Sequence, residues 1–435
     1  MWYTIKAYAS ICTHILNLNE YEYNSALYKL CINKDQCTAI AMLNQTGMYR
    51  LGEVDKRNQT LLITACASGS DKVALKILDQ YKICNLEHID NYGNTALMYA
   101  CSYGLNHVVM RLLDFYDEYR LDTINMRGET LLMYACLDCS EEVVLKILDY
   151  YKACNLDQVC DHGITALMCA CKANLNQVIL KLLNYYDKCK LDAVNNEKET
   201  ALIIACCRCS EEVVLKMLDY YELCNPTICS STMLTAFTAA CTYQGSNVIM
   251  KMLNCPELCK LDYINCNKTV IMRAYEVGRH IISKEIIMKM LDYPDLCNLG
   301  HVNNDGDTIL ILVCKYGPKA FAQKVILKLL KHHHLCKMSC VNYSGETALE
   351  IAERRNLKKV IKNINKIIKK CELSFPLYKN NKCVICLNAT NKYICVPECK
   401  HCICICKSCN TLKLKKCTLC NHKIDYETII RLNIS

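Results

Sequence analysis

A threonine followed by apolar residues recurs along this chain of 435 residues at a nearly constant interval. Six of these threonines are spaced 35 residues apart, and three more follow at intervals of 34, 39 and 39: Thr60, Thr95, Thr130, Thr165, Thr200, Thr235, Thr269, Thr308 and Thr347. Ser25 lies 35 residues before the first of them and marks a degenerate first repeat. Such periodicity predicts a modular fold in which each repeat packs only on its neighbours.

Each repeat predicts two short helices. In residues 91–104 a turn precedes the threonine and a short apolar helix follows. A second helix with apolar residues at helical spacing comes next, as in residues 141–148. One helical pair cannot bury its apolar face alone, so stacking of the pairs is expected to produce a continuous core. Five repeats place glycine two residues before the threonine, where a turn with positive φ forms easily: Gly93, Gly128, Gly163, Gly306 and Gly345.

The pattern Gly-x-Thr-x-Leu-x-x-Ala-x-x-x-Gly, followed by Val-Val-x-x-Leu-Leu within residues 107–113, resembles the ankyrin repeat. The resemblance covers roughly residues 20–370. It implies an all-α solenoid of helix-turn-helix repeats that binds a protein substrate. Thr-Ala-Leu-Met and Thr-Leu-Leu replace the family's Thr-Pro-Leu-His, which is expected to loosen the helix start. The repeat at residues 265–291 is the least typical and predicts a kink.

The repeat register explains most of the 37 cysteines. A first column lies six residues after the threonines: Cys66, Cys101, Cys136, Cys171, Cys206, Cys241 and Cys314. A second column lies 24 residues after them: Cys84, Cys154, Cys189, Cys224 and Cys259. Free cysteine packs as a small hydrophobe, so buried thiols are the expected role. Disulfide or metal ladders along the columns would need facing side chains, and the sequence leaves them open.

Composition and charge restrict the class of protein. Apolar residues make up 52% of the chain, which argues against disorder. Residues 1–19 lack a secretory pattern and no apolar stretch is long enough to span a membrane, so we predict an intracellular, cytoplasmic protein with no membrane contact. Residues 354–435 contain 18 Lys and Arg against four Asp and Glu, so the net charge of +9 arises in the last fifth of the chain.

The first part of this basic region, residues 354–370, alternates basic and apolar residues at helical spacing. We interpret it as the outer helix of the last repeat, capping the stack with a polar face. Binding to an acidic protein surface or to nucleic acid is the alternative, with nucleic acid the weaker one. His332, His333 and His334 suggest a metal site, but an exposed connection between repeats is the preferred interpretation.

Residues 383–420 hold ten cysteines and one histidine. Three Cys-x2-Cys pairs and one Cys-x-His provide eight ligands for two zinc ions: Cys383, Cys386, Cys399, His401, Cys406, Cys409, Cys417 and Cys420. A segment this short cannot bury a sufficient core, so zinc binding would supply its folding free energy.

This ligand order resembles the RING finger, in particular the C-terminal RINGs of the inhibitor-of-apoptosis type. The resemblance implies a small α+β domain in which the first and third ligand pairs share one zinc and the second and fourth share the other. Four residues separate His401 from Cys406, more than the family commonly has. Cys402 is therefore the alternative to His401 as the fourth ligand.

RING domains hold a ubiquitin-charged conjugating enzyme (E2) near a substrate and accelerate transfer by proximity and orientation, without a catalytic residue of their own. The resemblance places the E2-binding groove at Val384, Ile385, Leu414, Thr418 and Leu419. Thr418 stands where the family frequently has proline, and Asn421 stands where active members often have a cation. Both departures predict weakened or selective ligase activity. The alternative is a binding scaffold in which zinc only stabilises the C-terminal module.

The predicted organisation has five parts: an N-terminal helical region with the degenerate first repeat (1–54), ankyrin repeats (55–370), a linker (371–382), the RING-type finger (383–421) and a tail (422–435). The tail resembles one through which some such RINGs form homodimers, and this alternative also stays open. The asparagine, lysine, isoleucine and tyrosine content, together with cysteine-rich repeats, resembles the ankyrin proteins of large DNA viruses.

Partners of ankyrin-like solenoids bind the turn tips and the inner-helix face. Tip residues three before the threonines include Arg57, Tyr92, Arg127, His162 and Glu197. On the inner helices, the register predicts exposed positions at Tyr99, Tyr103, Tyr134, Asp138, Arg208 and Tyr243. Tyrosine and arginine are enriched in interface hot spots. The predicted substrate-binding residues are therefore Tyr92, Tyr99, Tyr103, Arg127, Tyr134 and Arg208.

Overall fold

The computed structural model describes residues 20–44, 50–115, 121–277, 284–316, 319–338, 340–374, 392–396, 401–404 and 430–433. The chain divides into two compact units, residues 1–232 and 233–435. Each unit is built mainly of short helices that follow the threonine register.

The first unit contains twelve described helices in six pairs. Their bounds are α1 (Glu20–Ile32), α2 (Gln36–Leu43), α3 (Leu61–Ala67), α4 (Asp71–Leu78), α5 (Ala96–Ser102), α6 (Asn106–Leu113), α7 (Leu131–Asp138), α8 (Glu141–Ile147), α9 (Ala166–Ala173), α10 (Asn176–Leu182), α11 (Ala201–Arg208) and α12 (Glu211–Met217). The odd-numbered helices pack on one another in order and form an inner row. The even-numbered helices form the outer row. The region of the predicted degenerate first repeat contributes the pair α1 and α2.

The second unit continues the same register. Its helices are α13 (Ala236–Tyr243), α14 (Ser246–Met252), α15 (Val270–Val277), α16 (Lys284–Met290), α17 (Ile309–Tyr316), α18 (Lys319–Lys331), α19 (Ala348–Arg354) and α20 (Lys358–Ser374). A two-stranded hairpin, β1 (Ile264–Asn265) and β2 (Lys268–Thr269), precedes α15. Inner and outer helices again pack in two rows.

The repeated threonines begin the inner helices. In eight repeats the Oγ1 atom accepts a hydrogen bond from the backbone N–H three residues later, as from Ile63 to Thr60 (3.3 Å) and from Met98 to Thr95 (3.2 Å). Such capping satisfies one of the N–H groups that a helix start leaves unpaired. These caps form although proline and histidine are missing, and at Thr235 and Thr347 the side chain three residues later completes a capping box.

The repeat around Thr269 is atypical, as predicted. Among the residues that the structure describes, its buried Oγ1 has no hydrogen-bond partner, and neither has Oδ1 of the nearby Asn265. Cys266 and Asn267 both adopt positive φ in the hairpin turn. The other predicted turn glycines, such as Gly93 and Gly163, have the expected positive φ.

The basic stretch predicted as one helix over 354–370 is divided in the structure, because Arg354 ends α19 and α20 begins at Lys358. Helix α20 packs against α18 and α19, and it buries Val360 and Ile364 while Lys358 and Lys362 stay exposed. The helix continues to Ser374, four residues into the predicted linker, because the amphipathic pattern has no breaker before Pro376.

Three strands are described in the C-terminal region: β3 (Lys392–Val396), β4 (His401–Cys404) and β5 (Ile430–Asn433). They form an antiparallel sheet in the order β4-β3-β5. Val396 pairs with His401 and Cys395 pairs with Cys402. Strand β5 lies in the predicted tail and pairs with β3 of the same chain, with Tyr393 opposite Leu432.

Candidate interaction surface and zinc-binding segment

The turn tips are fixed by a column of Asp and Asn side chains that the sequence analysis missed. The column lies five residues before the threonine and comprises Asp55, Asp90, Asn125, Asn195, Asn303 and Asn342. In each turn one side-chain oxygen accepts two backbone N–H groups, as Asp90 does from Tyr92 (2.9 Å) and Asn94 (3.0 Å). The signal was present, since Asp and Asn are the residues that bond to the backbone two residues on.

The tips of successive repeats are also bonded to each other. The Met126 N–H donates to the Tyr92 carbonyl (3.0 Å), and the Asn196 N–H donates to the His162 carbonyl (3.0 Å). Side chains reinforce this ladder, because Nε2 of Gln59 donates to Oδ2 of Asp90 (3.0 Å). The backbone of the tip is therefore held rigidly, and its side chains are presented on a fixed scaffold.

Four of the six predicted substrate-binding residues are exposed. Tyr92 at a tip and Tyr103 at the end of α5 are 59% and 52% exposed. Arg127 and Arg208 are exposed as well. Their role in binding stays a prediction.

Tyr99 and Tyr134 are half-buried, so the prediction that they are exposed is wrong. The hydroxyl of Tyr99 donates to Oδ2 of Asp90 (2.8 Å), and that of Tyr134 donates to Oε2 of Glu129 (2.6 Å). Burial and these acidic neighbours raise the pKa of Tyr99 to about 12, with Asn94 opposing, and also raise that of Tyr134. Both tyrosines are bound into the turn network.

Two apolar residues missing from the predicted set lie on the same repeats. Met126, at a tip, is 75% exposed, and Leu137, on α7, is 49% exposed. The sequence already places Met126 at a turn tip, so it could have been predicted as a binding residue. The predicted set contained only tyrosine and arginine. We call the exposed set of Tyr92, Tyr103, Met126, Arg127, Leu137 and Arg208 the partner face.

Both cysteine columns are buried, as predicted for core thiols. The second column has an additional role at the end of the outer helices. Each thiol donates to the carbonyl seven residues earlier, as from Cys84 to Ile77 (3.3 Å) and from Cys189 to Leu182 (3.3 Å). Cys297 and Cys336 make the same contact and extend this column. Burial raises the pKa of Cys84, Cys154, Cys189, Cys224, Cys297 and Cys336, each to about 12.

Most predicted zinc ligands lie outside the described residues. This applies to Cys383, Cys386, Cys399, Cys406, Cys409, Cys417 and Cys420, and to the E2-binding residues Val384, Ile385, Leu414, Thr418 and Leu419. His401 begins β4 and the alternative ligand Cys402 follows it. In the backbone pairing of this strand, His401 is opposite Val396 and Cys402 is opposite Cys395. A donor set of seven thiolates and one imidazole fits tetrahedral zinc.

Elsewhere the described ranges contain no cluster of three or more His, Cys, Asp or Glu side chains able to hold a metal ion. The three consecutive histidines lie at a connection, where residues 333–335 form a single 3-10 turn. None of the described helices combines the length and apolarity needed to cross a bilayer.

Comparison with known proteins agrees with the repeat register. Residues 80–158 and 145–228 match the family model for ankyrin repeats (3 copies). No curated protein matches the chain.

Two solved structures are similar to parts of the chain. One is a predatory endopeptidase from Bdellovibrio bacteriovorus in complex with an immunity protein: 24% identity, TM-score 0.33, covering 41% of this chain and 90% of that one. The other is the ankyrin repeat domain of Bcl-3: 20% identity, TM-score 0.35, covering 52% of this chain and 96% of that one. On the family match, the chain carries ankyrin repeats within residues 80–228.

Proposed function

We propose that this protein is a RING-type ubiquitin ligase, in which the ankyrin repeats recruit a protein substrate and the C-terminal segment recruits a ubiquitin-charged E2. The observation that supports substrate recruitment is the partner face, which combines side chains on hydrogen-bonded tips with side chains on the inner helices. The observation that supports the ligase step is the spacing of eight zinc ligands in residues 383–420.

The partner face has the composition of a protein interface. Tyr92, Tyr103 and Met126 offer large apolar surfaces, and the guanidinium groups of Arg127 and Arg208 add charged hydrogen-bond donors. Aromatic residues, methionine and arginine are the types enriched at the centre of interfaces. Because the tips are already ordered, binding costs little further conformational entropy.

In the C-terminal segment, zinc would hold the loops that carry the E2-binding residues. The hairpin β3-β4 begins its second strand at His401, two residues after Cys399. Cys399 and His401 would then form one ligand pair at the start of β4. Val384 and Ile385 would then contact the E2 from the loop between Cys383 and Cys386. The segment contributes positioning, and the reacting thioester belongs to the E2.

A reconstituted ubiquitination assay tests the proposal. The full chain is incubated with activating enzyme, ubiquitin, ATP and a panel of E2 enzymes, and ubiquitin attachment is followed on the chain itself. We expect modification with at least one E2. Ile385→Ala is the matched variant, because it removes an E2 contact and leaves every zinc ligand in place.

Zinc content is measured on the same samples and gives the decisive comparison. The ligase is supported if both proteins bind two zinc ions per chain and only the wild type is modified with ubiquitin. Two zinc ions per chain without modification by any E2 refutes it and favours the non-catalytic scaffold. His401→Ala and Cys402→Ala identify the fourth ligand, since only the true ligand variant loses zinc.

A further inference from the structure

A third set of cysteines joins neighbouring repeats in pairs. Cys139 and Cys209 lie nine residues after their threonines, where other repeats have a glycine or asparagine with positive φ, such as Gly104 and Asn174. Both adopt an extended backbone at the C-terminal ends of α7 and α11. This conformation directs each side chain back toward the preceding repeat.

The contacts are the same in both places. Sγ of Cys139 lies 3.6 Å from the carbonyl oxygen of Cys101, and Sγ of Cys209 lies 3.6 Å from that of Cys171. The thiols of each pair are also close enough to shift each other's pKa. Each pair therefore brings two cysteines from adjacent repeats into contact, with the helix-end sulfur against the partner's carbonyl.

The members of a pair differ in their access to solvent. Cys101 and Cys171 are completely buried within the inner helices. Cys139 and Cys209 lie at helix ends and retain 8% and 7% exposure. A small solute therefore reaches the helix-end thiol first.

Neighbouring charge distinguishes the two pairs. Arg208 precedes Cys209, whereas Asp138 precedes Cys139. The hydrogen bond from Cys171 and the charge of Arg208 lower the pKa of Cys209, against the effect of burial. The same hydrogen bond and burial raise the pKa of Cys171. Cys209 is therefore the more acidic thiol of the pair, and its place at the helix end makes it the first to meet an oxidant.

We propose that Cys209 and Cys171 form a peroxide-sensitive dithiol, which oxidation converts into a disulfide between two adjacent ankyrin repeats. The Cys209 thiolate attacks hydrogen peroxide, the O–O bond breaks, and a sulfenic acid and hydroxide form. The Cys171 sulfur then attacks the sulfenic sulfur, so the S–S bond forms as the S–O bond breaks. The departing hydroxide takes the Cys171 proton and leaves as water, and two equivalents of a reducing thiol restore the pair.

This modification is independent of the ligase proposal and lies beside the partner face. Arg208 belongs to that face and is adjacent to Cys209. The disulfide would tie the end of α11 to the middle of α9 and restrict the separation of these repeats. Oxidation is therefore expected to stiffen the scaffold next to Arg208.

Peptide mapping of the full chain under non-reducing conditions tests the proposal. The protein is treated with hydrogen peroxide, alkylated and digested with trypsin, which releases residues 209–216 with Cys209 as their sole thiol. We expect this peptide to be linked to residues 153–172, with fragmentation assigning the bond to Cys171. Cys207→Ser is the matched control, because Cys207 is more exposed than Cys209 and lies two residues away.

The neighbouring charges provide a second readout. Arg208→Asp is expected to slow disulfide formation roughly tenfold, the change in thiolate fraction that one pKa unit produces. Asp138→Arg is expected to accelerate the Cys101–Cys139 pair. In Cys171→Ser the sulfenic acid on Cys209 cannot go on to form the disulfide. Dimedone, which reacts with sulfenic acids, should then label Cys209 after peroxide treatment, and this label reports the first step alone.

The proposal is overturned if peroxide modifies Cys207 while the peptide 209–216 stays unlinked and no dimedone adduct forms on Cys209. It is equally overturned if the two pairs oxidise at one rate that neither charge exchange alters. Circular dichroism of each variant, compared with the wild type, verifies that the folded chain is being measured.

Discussion

At the residue scale, the second-column cysteines act as hydrogen-bond donors as well as packing groups. The thiol of Cys84 lies 3.3 Å from the carbonyl of Ile77 and 3.2 Å from that of Gln80. The Ile77 carbonyl lies in the last turn of α4 and the Gln80 carbonyl just after it, and each also accepts a backbone N–H, from Gln80 and Ile83 respectively. Cysteine suits this position because it combines a small apolar volume with one weak donor.

Substitutions at Cys84 separate the contribution of its thiol as a hydrogen-bond donor from its contribution to packing. Cys84→Ala is expected to lower the free energy of unfolding by about 1–2 kcal/mol, because it removes the thiol's hydrogen bonds and its buried volume. Cys84→Ser should cost less, since its hydroxyl donates to the same acceptors. Urea denaturation followed by circular dichroism measures both.

Cys66 in the first column is the control for this pair of substitutions. Its thiol is fully buried within α3, where a hydroxyl costs more than a methyl group. Alanine should therefore be the milder change at Cys66. Equal costs for serine and alanine at Cys84 would contradict the donor role.

At the element scale, the turn before each inner helix is shaped by contact with the next repeat. Gly163 has φ of +72°, and a Cβ atom there would lie 2.4 Å from the carbonyl oxygen of Val194. Gly345 has a similar φ of +79°, but a Cβ atom would meet no atom within 4 Å. The same turn therefore carries different constraints at different places in the chain.

Alanine substitutions separate the two constraints. Gly345→Ala is expected to cost about 1–2 kcal/mol, the penalty for an L-residue in the left-handed region. Gly163→Ala should cost roughly 3 kcal/mol or more, because the backbone of the next repeat must also move. Equal losses of stability in urea denaturation would show that contact between tips contributes nothing at Gly163.

The threonine spacing was sufficient to predict the helix pairs, the turn glycines and the buried first-column cysteines. It was insufficient for Tyr99 and Tyr134, because their exposure depends on whether Asp90 and Glu129 reach their hydroxyls. That contact depends on the turn geometry, which periodicity does not specify. The pairing of Cys171 with Cys209 was missed for a related reason, since it joins different positions of two repeats.

At the scale of the whole molecule, the buried thiols make stability depend on pH. Burial raises the pKa of six second-column thiols to about 12: Cys84, Cys154, Cys189, Cys224, Cys297 and Cys336. In the unfolded chain these thiols ionise near 9, the ordinary value. Above that pH the unfolded state binds fewer protons than the folded state, so the free energy of unfolding falls as pH rises.

The expected loss runs from about pH 9 to about pH 12, with full stability below it. Each buried thiol contributes up to about 1.4 kcal/mol per pH unit in that range. Urea midpoints measured at a series of alkaline pH values test this. Alanine at Cys84, Cys154 and Cys189 together should reduce the slope, and an unchanged slope would contradict the assignment to these thiols.

We propose that this chain joins ankyrin repeats to a RING-type segment that activates a charged E2. The most direct measurement is single-turnover discharge of ubiquitin from an E2 onto free lysine, with and without the full chain. We expect the wild type to accelerate ubiquitin discharge from the E2. Ile385→Ala should bind two zinc ions as the wild type does but leave the discharge rate unchanged. Discharge that stays at the rate of the E2 alone for every E2 tested, with two zinc ions bound, would contradict it.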